Sequence, residues 1–239
     1  MQFYYIRHGQ SANNQRYAQT GSAVGRSDDA ELTEMGHHQA ERVAAFLAAK
    51  SAGLAPDPDY QNVGGFGITH LYSSLMVRAV ATGMAISRAV GIPLVGWKDW
   101  HETGGIFLAD PETGEFIGQP GKPRAYLAEH YPDFVLPDDV AETGWWNRSF
   151  EAREERFPRA ERVLRELLAR HGGTEDRVAL VSHGGFFNYI LAAILRYPLE
   201  NRPWFAMNNA AITRIDFKLE STEIIYVNRA DFLPRDLIT

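Results

Sequence analysis

The chain has 239 residues, 45% of them hydrophobic and 23% charged, so it can bury a substantial core and is not wholly disordered. Its net charge of −6 excludes a generic binder of nucleic acid or anionic membranes, since such a protein needs a basic surface. Without cysteine, the chain has no disulfide, no thiolate nucleophile and no cysteine-ligated zinc.

No stretch of the sequence is apolar for long enough to span a bilayer, and no charged leader with an apolar segment behind it opens the chain. The lack of disulfides fits the cytosol. We therefore expect a cytoplasmic protein with no membrane partner and no nucleic-acid partner.

The first predicted strand, at residues 3–6, is a continuous apolar run of the kind that is buried on both faces of a sheet. It runs directly into Arg7 and His8, with no turn residue before them. After a polar loop, Thr33 can cap a helix to about residue 49, because apolar residues recur there at helical spacing.

Residues 68–72 predict a second strand. Ser73 and Ser74 follow it directly and are expected to cap the next helix. Residues 92–95 predict a third strand, with Gly91 and Pro93 marking its start. Strands and helices thus alternate through the first hundred residues, which is typical of a parallel sheet flanked by helices.

The alternation stops at residues 104–144, which are rich in glycine, proline and acidic residues. One short helical piece is predicted there, near residues 124–130. A segment this long with so little regular structure is usually a functional loop, so we expect a lid inserted into the domain.

Regular structure resumes near residue 150 with a helix that extends toward residue 170. Residues 178–181 predict a fourth buried strand, and residues 186–195 an apolar helix. Residues 212–217 and 224–227 predict two late strands that form a hairpin at one edge of the sheet. Together these elements indicate one α/β domain over residues 1–239.

The first and fourth strands end in the same way. Each apolar run leads into a histidine and then a glycine, at His8 and His183. Parallel sheets bind ligands at the carboxyl ends of their strands, so both histidines are expected at a ligand site. Gly184 and Gly185 open the following helix, whose free N–H groups favour an anion.

The second and third strands lead to the same edge of the predicted sheet. Arg78 lies in the first turn of the helix after the second strand, and Glu102 follows the third. Arg7 and Arg78 together suit phosphate oxygens, because guanidinium groups bind them in a fork. A histidine can attack phosphorus, and a carboxyl group can protonate a leaving oxygen.

The motifs RHGQS, LYSSLMVRA, HETGG and SHGG occur in that order, and the chain resembles the histidine phosphatase superfamily, the phosphoglycerate mutase-like proteins. LTEMGHHQA and NNAAITRIDF extend the resemblance. It implies a three-layer α/β sandwich, with a mostly parallel sheet and helices on both faces, that carries the inserted lid.

The resemblance implies a role for each of five residues. His8 would become phosphorylated, and Glu102 would donate the proton. Arg7, Arg78 and His183 would hold the three equatorial phosphoryl oxygens.

Further positions match the family less directly. Asn14 stands where the family commonly has an asparagine. We expect both Asn14 and Gly184 to bind substrate. Gln10 departs from the glutamate of many relatives and is expected to support the loop. His101, beside Glu102, is a further candidate for substrate contact, although HETGG is not the zinc motif HExxH.

No metal ligand and no cofactor are predicted. His37 and His38 are adjacent on a helix, so they cannot both face one metal ion. His70 lies within a strand and is interpreted as a core or face residue. Trp145 and Trp146 are expected to pack the lid against the body, with substrate contact as the alternative. Four basic residues could extend the anion site but are each interpreted as surface charges: Arg16, Arg26, Lys122 and Arg124.

The sequence therefore predicts a metal-independent phosphatase that acts on a small phosphorylated metabolite through a phosphohistidine. A phosphoglycerate mutase is the alternative, but the expected ENRF-type sequence with a following GW is missing from NNQRYAQTGSAVGRSDD. A non-catalytic phosphate-binding or interaction module is the alternative of another class, and all five catalytic residue types argue against it.

Overall fold

Strands and helices alternate along the chain in the computed structural model, which describes residues 1–22, 24–50, 56–198 and 203–239. The strands are β1 Gln2–Arg7, β2 His70–Ser73, β3 Leu94–Gly96, β4 Phe107–Ala109, β5 Phe116–Gly118, β6 Arg177–Ser182, β7 Ile212–Phe217 and β8 Thr222–Arg229. The helices are α1 Ala12–Thr20, α2 Glu34–Ala48, α3 Val77–Val90, α4 Arg124–His130, α5 Arg153–His171 and α6 Gly184–Leu195.

Six of the strands form one mixed sheet in the order β3-β2-β6-β1-β7-β8. The first four in that order run parallel, and β7 and β8 are antiparallel to their neighbours. The register pairs Arg7 with Ser182 and Ser73 with Val181, so β1, β2 and β6 end at the same edge. The predicted late hairpin at one edge of the sheet is confirmed.

Helices cover both faces of the sheet, as the side chains of β1 demonstrate. Tyr5 contacts Phe187 of α6, with ring centroids 4.9 Å apart. Its neighbour Tyr4 contacts Phe66 at 5.3 Å, and Phe66 in turn contacts Phe46 of α2 at 5.2 Å. Because successive strand residues point to opposite faces, α6 and α2 lie on opposite sides. The expected three-layer architecture is confirmed.

The start of α3 was predicted wrongly. The helix begins at Val77, and its N-cap residue Met76 makes no side-chain cap. Ser74 does not cap it because the Ser74 hydroxyl lies 2.7 Å from Nε2 of His183 and accepts a bond from the Met76 N–H. Ser74 thus contacts His183 at the carboxyl edge of the sheet and does not cap α3.

Helix α1 lies in the stretch that was predicted to be a polar loop. Ser11 caps it by accepting a hydrogen bond from the Asn14 N–H, and the Asn14 side chain accepts from the Ser11 N–H in return. This reciprocal capping is recognisable in sequence as a serine with a polar residue three positions later.

Residues 104–144 contain the predicted short helix, α4, and the β4–β5 hairpin, which was not predicted. Ile106, Phe134 and Val140 bury their side chains in the main hydrophobic core. Trp145 and Trp146 are also buried there, so the packing role expected for them is confirmed. None of the described helices is long and apolar enough to cross a membrane.

Candidate active site

His8 directly follows β1 and is buried, and its hydrogen bonds determine its tautomer. Nδ1 lies 2.6 Å from the Gly9 carbonyl oxygen, which can only accept, so Nδ1 carries the proton. The Arg78 Nε–H donates to Nε2 over 3.1 Å, and a guanidinium can only donate. Nε2 therefore carries no proton, and its lone pair faces the Arg78 guanidinium. A nucleophilic nitrogen must be unprotonated in this way.

The electrostatic surroundings keep His8 neutral. Burial holds the pKa of His8 well below its ordinary value, and the charges of Arg78 and Arg7 lower it further. Each of these effects penalises the imidazolium form. The nucleophilic form is therefore populated throughout the neutral pH range.

The two arginines present donors that the described part of the chain does not satisfy. Arg7 donates through Nη1 to the Met207 carbonyl oxygen, while its buried Nε has no partner there. Arg78 places Nη1 3.8 Å from Oδ1 of Asp29, too far for a hydrogen bond, and this nitrogen too is unpartnered. Buried unpaired donors are costly, so both point to a missing acceptor such as a phosphoryl oxygen.

His183 adds a further donor beside the two arginines. It follows β6, and its ring centroid lies 5.0 Å from that of His8. When the Ser74 hydroxyl donates to Nε2, the proton is on Nδ1, a buried atom with no partner among the described residues. Burial, followed by the charge of Arg78, lowers the pKa of His183 well below its usual value. The neutral ring then offers one N–H donor.

Glu102 reaches the N-terminus of α6. Oε1 accepts hydrogen bonds from the N–H groups of Thr103 at 2.7 Å and Phe186 at 2.8 Å, and Oε2 accepts from Gly185 at 3.0 Å. A side chain at Gly185 would place its Cβ 2.5 Å from Oε1. The glycine is therefore needed for this close approach of carboxylate and backbone.

A cavity of about 370 Å³ opens above these groups. Six of the eight residues predicted for the site line it: Arg7, His8, Asn14, Arg78, Glu102 and Gly184. His183 and His101 are fully buried and are not among the lining residues. The other walls come from α1 and the loop after it and from residues 204–207. Residues of segment 104–144 do not appear in the described lining, so the closing role of that segment stays a prediction.

His101 does not line the cavity, which corrects the substrate contact expected for it. Its fully buried ring lies between Trp146, at 4.6 Å, and Phe186, at 6.5 Å. Its Nδ1 contacts the Glu102 carbonyl oxygen and its Nε2 contacts Arg148. His101 thus contacts the Glu102 backbone from outside the cavity.

Gln10 supports the loop that follows β1, as expected. Its side-chain oxygen accepts a hydrogen bond from the Thr33 hydroxyl at 2.9 Å, and its N–H donates to Gln39 at 2.7 Å. The loop also packs closely on α2, where a Cβ at Gly9 would lie 2.4 Å from the Gly36 carbonyl oxygen.

Two residues that sequence reasoning missed contact His183 and Arg78. Ser74 contacts His183, as described above. Asp29 is fully buried, accepts from the Val77 N–H at 3.2 Å and faces Arg78. Burial raises the pKa of Asp29 to about 7, although Arg78 opposes the shift. No local pattern distinguishes Asp29 from Asp28 before it, whereas the serine pair was visible but interpreted as a helix cap.

The four basic residues considered for the anion site divide into two pairs. Arg16 and Arg26 line the cavity. Arg124 instead donates to the carbonyl oxygens of Pro137 and Val140 within segment 104–144, and Lys122 lies 4.5 Å above the Tyr126 ring. Within the described ranges, no three histidine, aspartate or glutamate side chains at this cavity come close enough to share a metal ion.

Comparisons with known proteins agree with this geometry. A model of the histidine phosphatase superfamily (branch 1) matches residues 3–55 and 60–230. A protein of Hydrogenobacter thermophilus named as a phosphoserine phosphatase is 26% identical over 233 residues, which cover 95% of this chain and 94% of that protein. One of Yersinia pestis named as a phosphoglycerate mutase is 24% identical, covering 91% and 86%.

Two solved structures share the fold. A mycobacterial glucosyl-3-phosphoglycerate phosphatase superposes with a TM-score of 0.58 at 20% identity, covering 96% of this chain and 99% of that one. A phosphoserine phosphatase from Entamoeba histolytica, solved with 3-phosphoglyceric acid, has a TM-score of 0.60 at 17% identity, covering 98% and 99%.

Proposed function

Because the chain belongs to the histidine phosphatase superfamily, we propose that it hydrolyses the phosphoester of a small phosphorylated metabolite through a phosphohistidine at His8. One observation carries the proposal. The unprotonated Nε2 of His8 faces Arg78, and three buried donors without described partners come from the residues expected to hold a phosphoryl group: Arg7 Nε, Arg78 Nη1 and His183 Nδ1.

The first chemical step transfers the phosphoryl group to the enzyme. The lone pair of His8 Nε2 attacks phosphorus, and the bond between phosphorus and the leaving oxygen breaks. The Glu102 carboxyl gives its proton to that oxygen, so the product leaves as an alcohol. Arg7 and Arg78 offset the charge on the equatorial oxygens, and the neutral His183 donates a hydrogen bond to one of them.

The second step returns the enzyme to its starting state. The Glu102 carboxylate removes a proton from water, the water oxygen bonds to phosphorus, and the bond from phosphorus to Nε2 breaks. Orthophosphate leaves, and His8 regains its lone pair. The same carboxyl thus serves as acid and then as base.

Arg26 supports a finer proposal about the substrate. Its guanidinium lies 4.1 Å above the Phe107 ring at the cavity wall, and it makes no ion pair with any described residue. Arg26 is partly buried and lines the same cavity as Arg78, and burial, with the charge of Arg78, lowers its pKa. An unpaired, partly desolvated guanidinium favours a second anion, so we propose a phosphomonoester that also carries a carboxylate. Two relatives are named for phosphoserine, whose leaving part bears one.

Metal-independence is part of the proposal. Two arginines supply the charge that a bound cation supplies in many phosphatases, the neutral His183 adds an N–H donor, and a histidine supplies the nucleophile in place of metal-activated water.

A mutase is the second candidate, favoured by the relative of that name from Yersinia pestis. It would return the phosphoryl group from His8 to another hydroxyl of the substrate instead of to water. A screen of phosphorylated metabolites, with and without 2,3-bisphosphoglycerate, separates the two. Release of orthophosphate supports the phosphatase, whereas isomerisation of 3-phosphoglycerate without net release supports the mutase.

The phosphohistidine itself is tested by rapid quench with ³²P-labelled phosphoserine. We expect a labelled protein adduct that is labile in acid and stable in base. His8→Ala should trap none, while His38→Ala, on the exposed face of α2, should trap the wild-type amount. Label trapped at the wild-type level in His8→Ala would mean that another residue is the nucleophile.

A further inference from the structure

A second cluster of reactive side chains lies at the edge of the sheet opposite to His8. His70 is the first residue of β2, His171 is the last residue of α5, and Asp176 comes directly before β6. Because β2 and β6 run parallel, their beginnings meet at one edge, whereas the catalytic residues follow the ends of the strands. The cluster is therefore separate from the catalytic cavity.

The three side chains present their ligand atoms to one another. Nδ1 of His171 lies 2.8 Å from Oδ2 of Asp176, and Nδ1 of His70 lies 3.9 Å from Oδ1 of the same carboxylate. All three potential ligand atoms fall within 4.8 Å of one another, and the two imidazole centroids are 4.6 Å apart. Bonds of about 2.0–2.1 Å to a tetrahedral zinc ion place its ligand atoms about 3.3 Å apart, between the two distances measured here.

We propose that His70, His171 and Asp176 bind one divalent transition-metal ion of the zinc class. Two imidazoles and one carboxylate are ligands that Zn²⁺ and Co²⁺ accept, whereas Mg²⁺ and Ca²⁺ prefer oxygen alone. Three protein ligands leave a fourth position for water, and the exposed side of His70, 41% accessible, provides the opening.

The surroundings of His171 are those of a metal-binding imidazole. Its Nε2 lies 3.1 Å from the Tyr72 hydroxyl, so Nε2–H can donate there while Nδ1 faces the metal. Such a partner on the second ring nitrogen orients the ring and selects the tautomer. The residue also ends α5, where the helix dipole favours a positive charge.

The charges around the cluster are compatible with a cation. Oδ2 of Asp176 faces Nδ1 of His171 at 2.8 Å, and Oδ1 faces His70, so the carboxylate lies between the two imidazoles. Of the nearby arginines, Arg170 stacks on the Trp97 ring at 3.9 Å and Arg177 donates to the Phe66 carbonyl oxygen. Both guanidinium groups are thus engaged away from the carboxylate.

Binding at this site would change the tautomer of His171 and tie three elements together. In the unloaded cluster Nδ1–H of His171 donates to Asp176, and that proton moves to Nε2, where it can donate to Tyr72, when Nδ1 binds the metal. The loaded site would join the end of α5 to the beginnings of β2 and β6. An ion at 100 times its dissociation constant would shift the folding equilibrium about 100-fold toward the native state.

The experiment uses the full chain after exhaustive treatment with EDTA. CoCl₂ is titrated while visible absorption is recorded, and ZnCl₂ is then added to displace the bound Co²⁺. The melting temperature is measured with and without ZnCl₂. We expect a d–d band that saturates at one equivalent and a rise in melting temperature with Zn²⁺. MgCl₂ should produce neither effect.

Variants locate the ion. His70→Gln and Asp176→Asn should weaken Co²⁺ binding at least about 10-fold, since even changes outside the first ligands cost 10–100-fold. Both side chains are partly exposed, and the melting temperature of each EDTA-treated variant reports its folding. The control His37→Gln/His38→Gln, on exposed α2 positions, should bind as the wild type does. No band, a band unchanged in both site variants, or a band lost in the control would overturn the proposal.

Discussion

Replacing Glu102 by glutamine tests the proposed proton donor. The substitution keeps the shape of the side chain but removes the acidic proton. An amide oxygen in the place of Oε1 can still accept from Thr103 and Phe186, whereas the amide N–H₂ then faces the Gly185 N–H. One acceptor is lost, which costs about 1–3 kcal/mol and affects every substrate alike.

Loss of the proton donor affects substrates unequally. The alkoxide of phosphoserine is a poor leaving group, so its protonation is worth roughly 10²–10⁴-fold, or about 2.7–5.4 kcal/mol. p-Nitrophenolate leaves without such help. We therefore expect Glu102→Gln to reduce kcat/KM for phosphoserine about 10²–10⁴-fold more than for p-nitrophenyl phosphate.

The assay measures steady-state kcat/KM for both substrates in three proteins. The wild type sets the reference, and Glu112→Gln, at an exposed position of segment 104–144, controls for loss of a carboxylate elsewhere. The ratio of the two losses is the decisive quantity, because the shared structural cost cancels in it. Equal losses on both substrates would refute the acid role and leave Glu102 as a residue that positions the α6 N-terminus.

Four further predictions follow from the site and its surroundings. Arg26→Met keeps the contact with Phe107 but removes the charge, so it should lower kcat/KM about 10–100-fold for phosphoserine and little for p-nitrophenyl phosphate. Arg88→Met, at an exposed position, is the control. Equal losses on the two substrates would exclude a carboxylate as the partner of Arg26. The free energy of unfolding should fall as the pH drops below about 6.5, because burial lowers the pKa of His8, His101 and His183 and the unfolded chain then binds more protons than the folded one. Each of these histidines contributes up to about 1.4 kcal/mol per pH unit. Asp29, whose pKa burial raises, has the opposite effect and offsets one of the three. Urea titrations between pH 4 and 8 measure this slope, and a flat profile would contradict it. Turnover should persist in EDTA, and a loss restored by a divalent ion would argue for metal catalysis. Residues 104–144 should gain protection from hydrogen exchange when orthovanadate binds, because Phe107 contacts Arg26 at the cavity; exchange unchanged at saturation would count against a lid.

The sequence was sufficient to predict the sheet, its late hairpin and most of the cavity. Each of those signals is local, because an apolar run that ends in a histidine and a glycine reports both a buried strand and the residue at its carboxyl end. Parallel strands end at one edge, so His8, Arg78 and Glu102 could be placed together before their contacts were known. The family motifs then assigned the roles.

Tertiary structure decided what depends on side chains from distant parts of the chain. His101 is adjacent to Glu102 in sequence, yet its ring packs against Trp146 and Phe186 behind the site. The partnership of Asp29 with Arg78 spans 49 residues, and no periodicity encodes it. Strand patterns record which face a side chain occupies but not which side chain it meets there. His70 accordingly resembled an ordinary strand residue until the end of α5 placed His171 and Asp176 beside it.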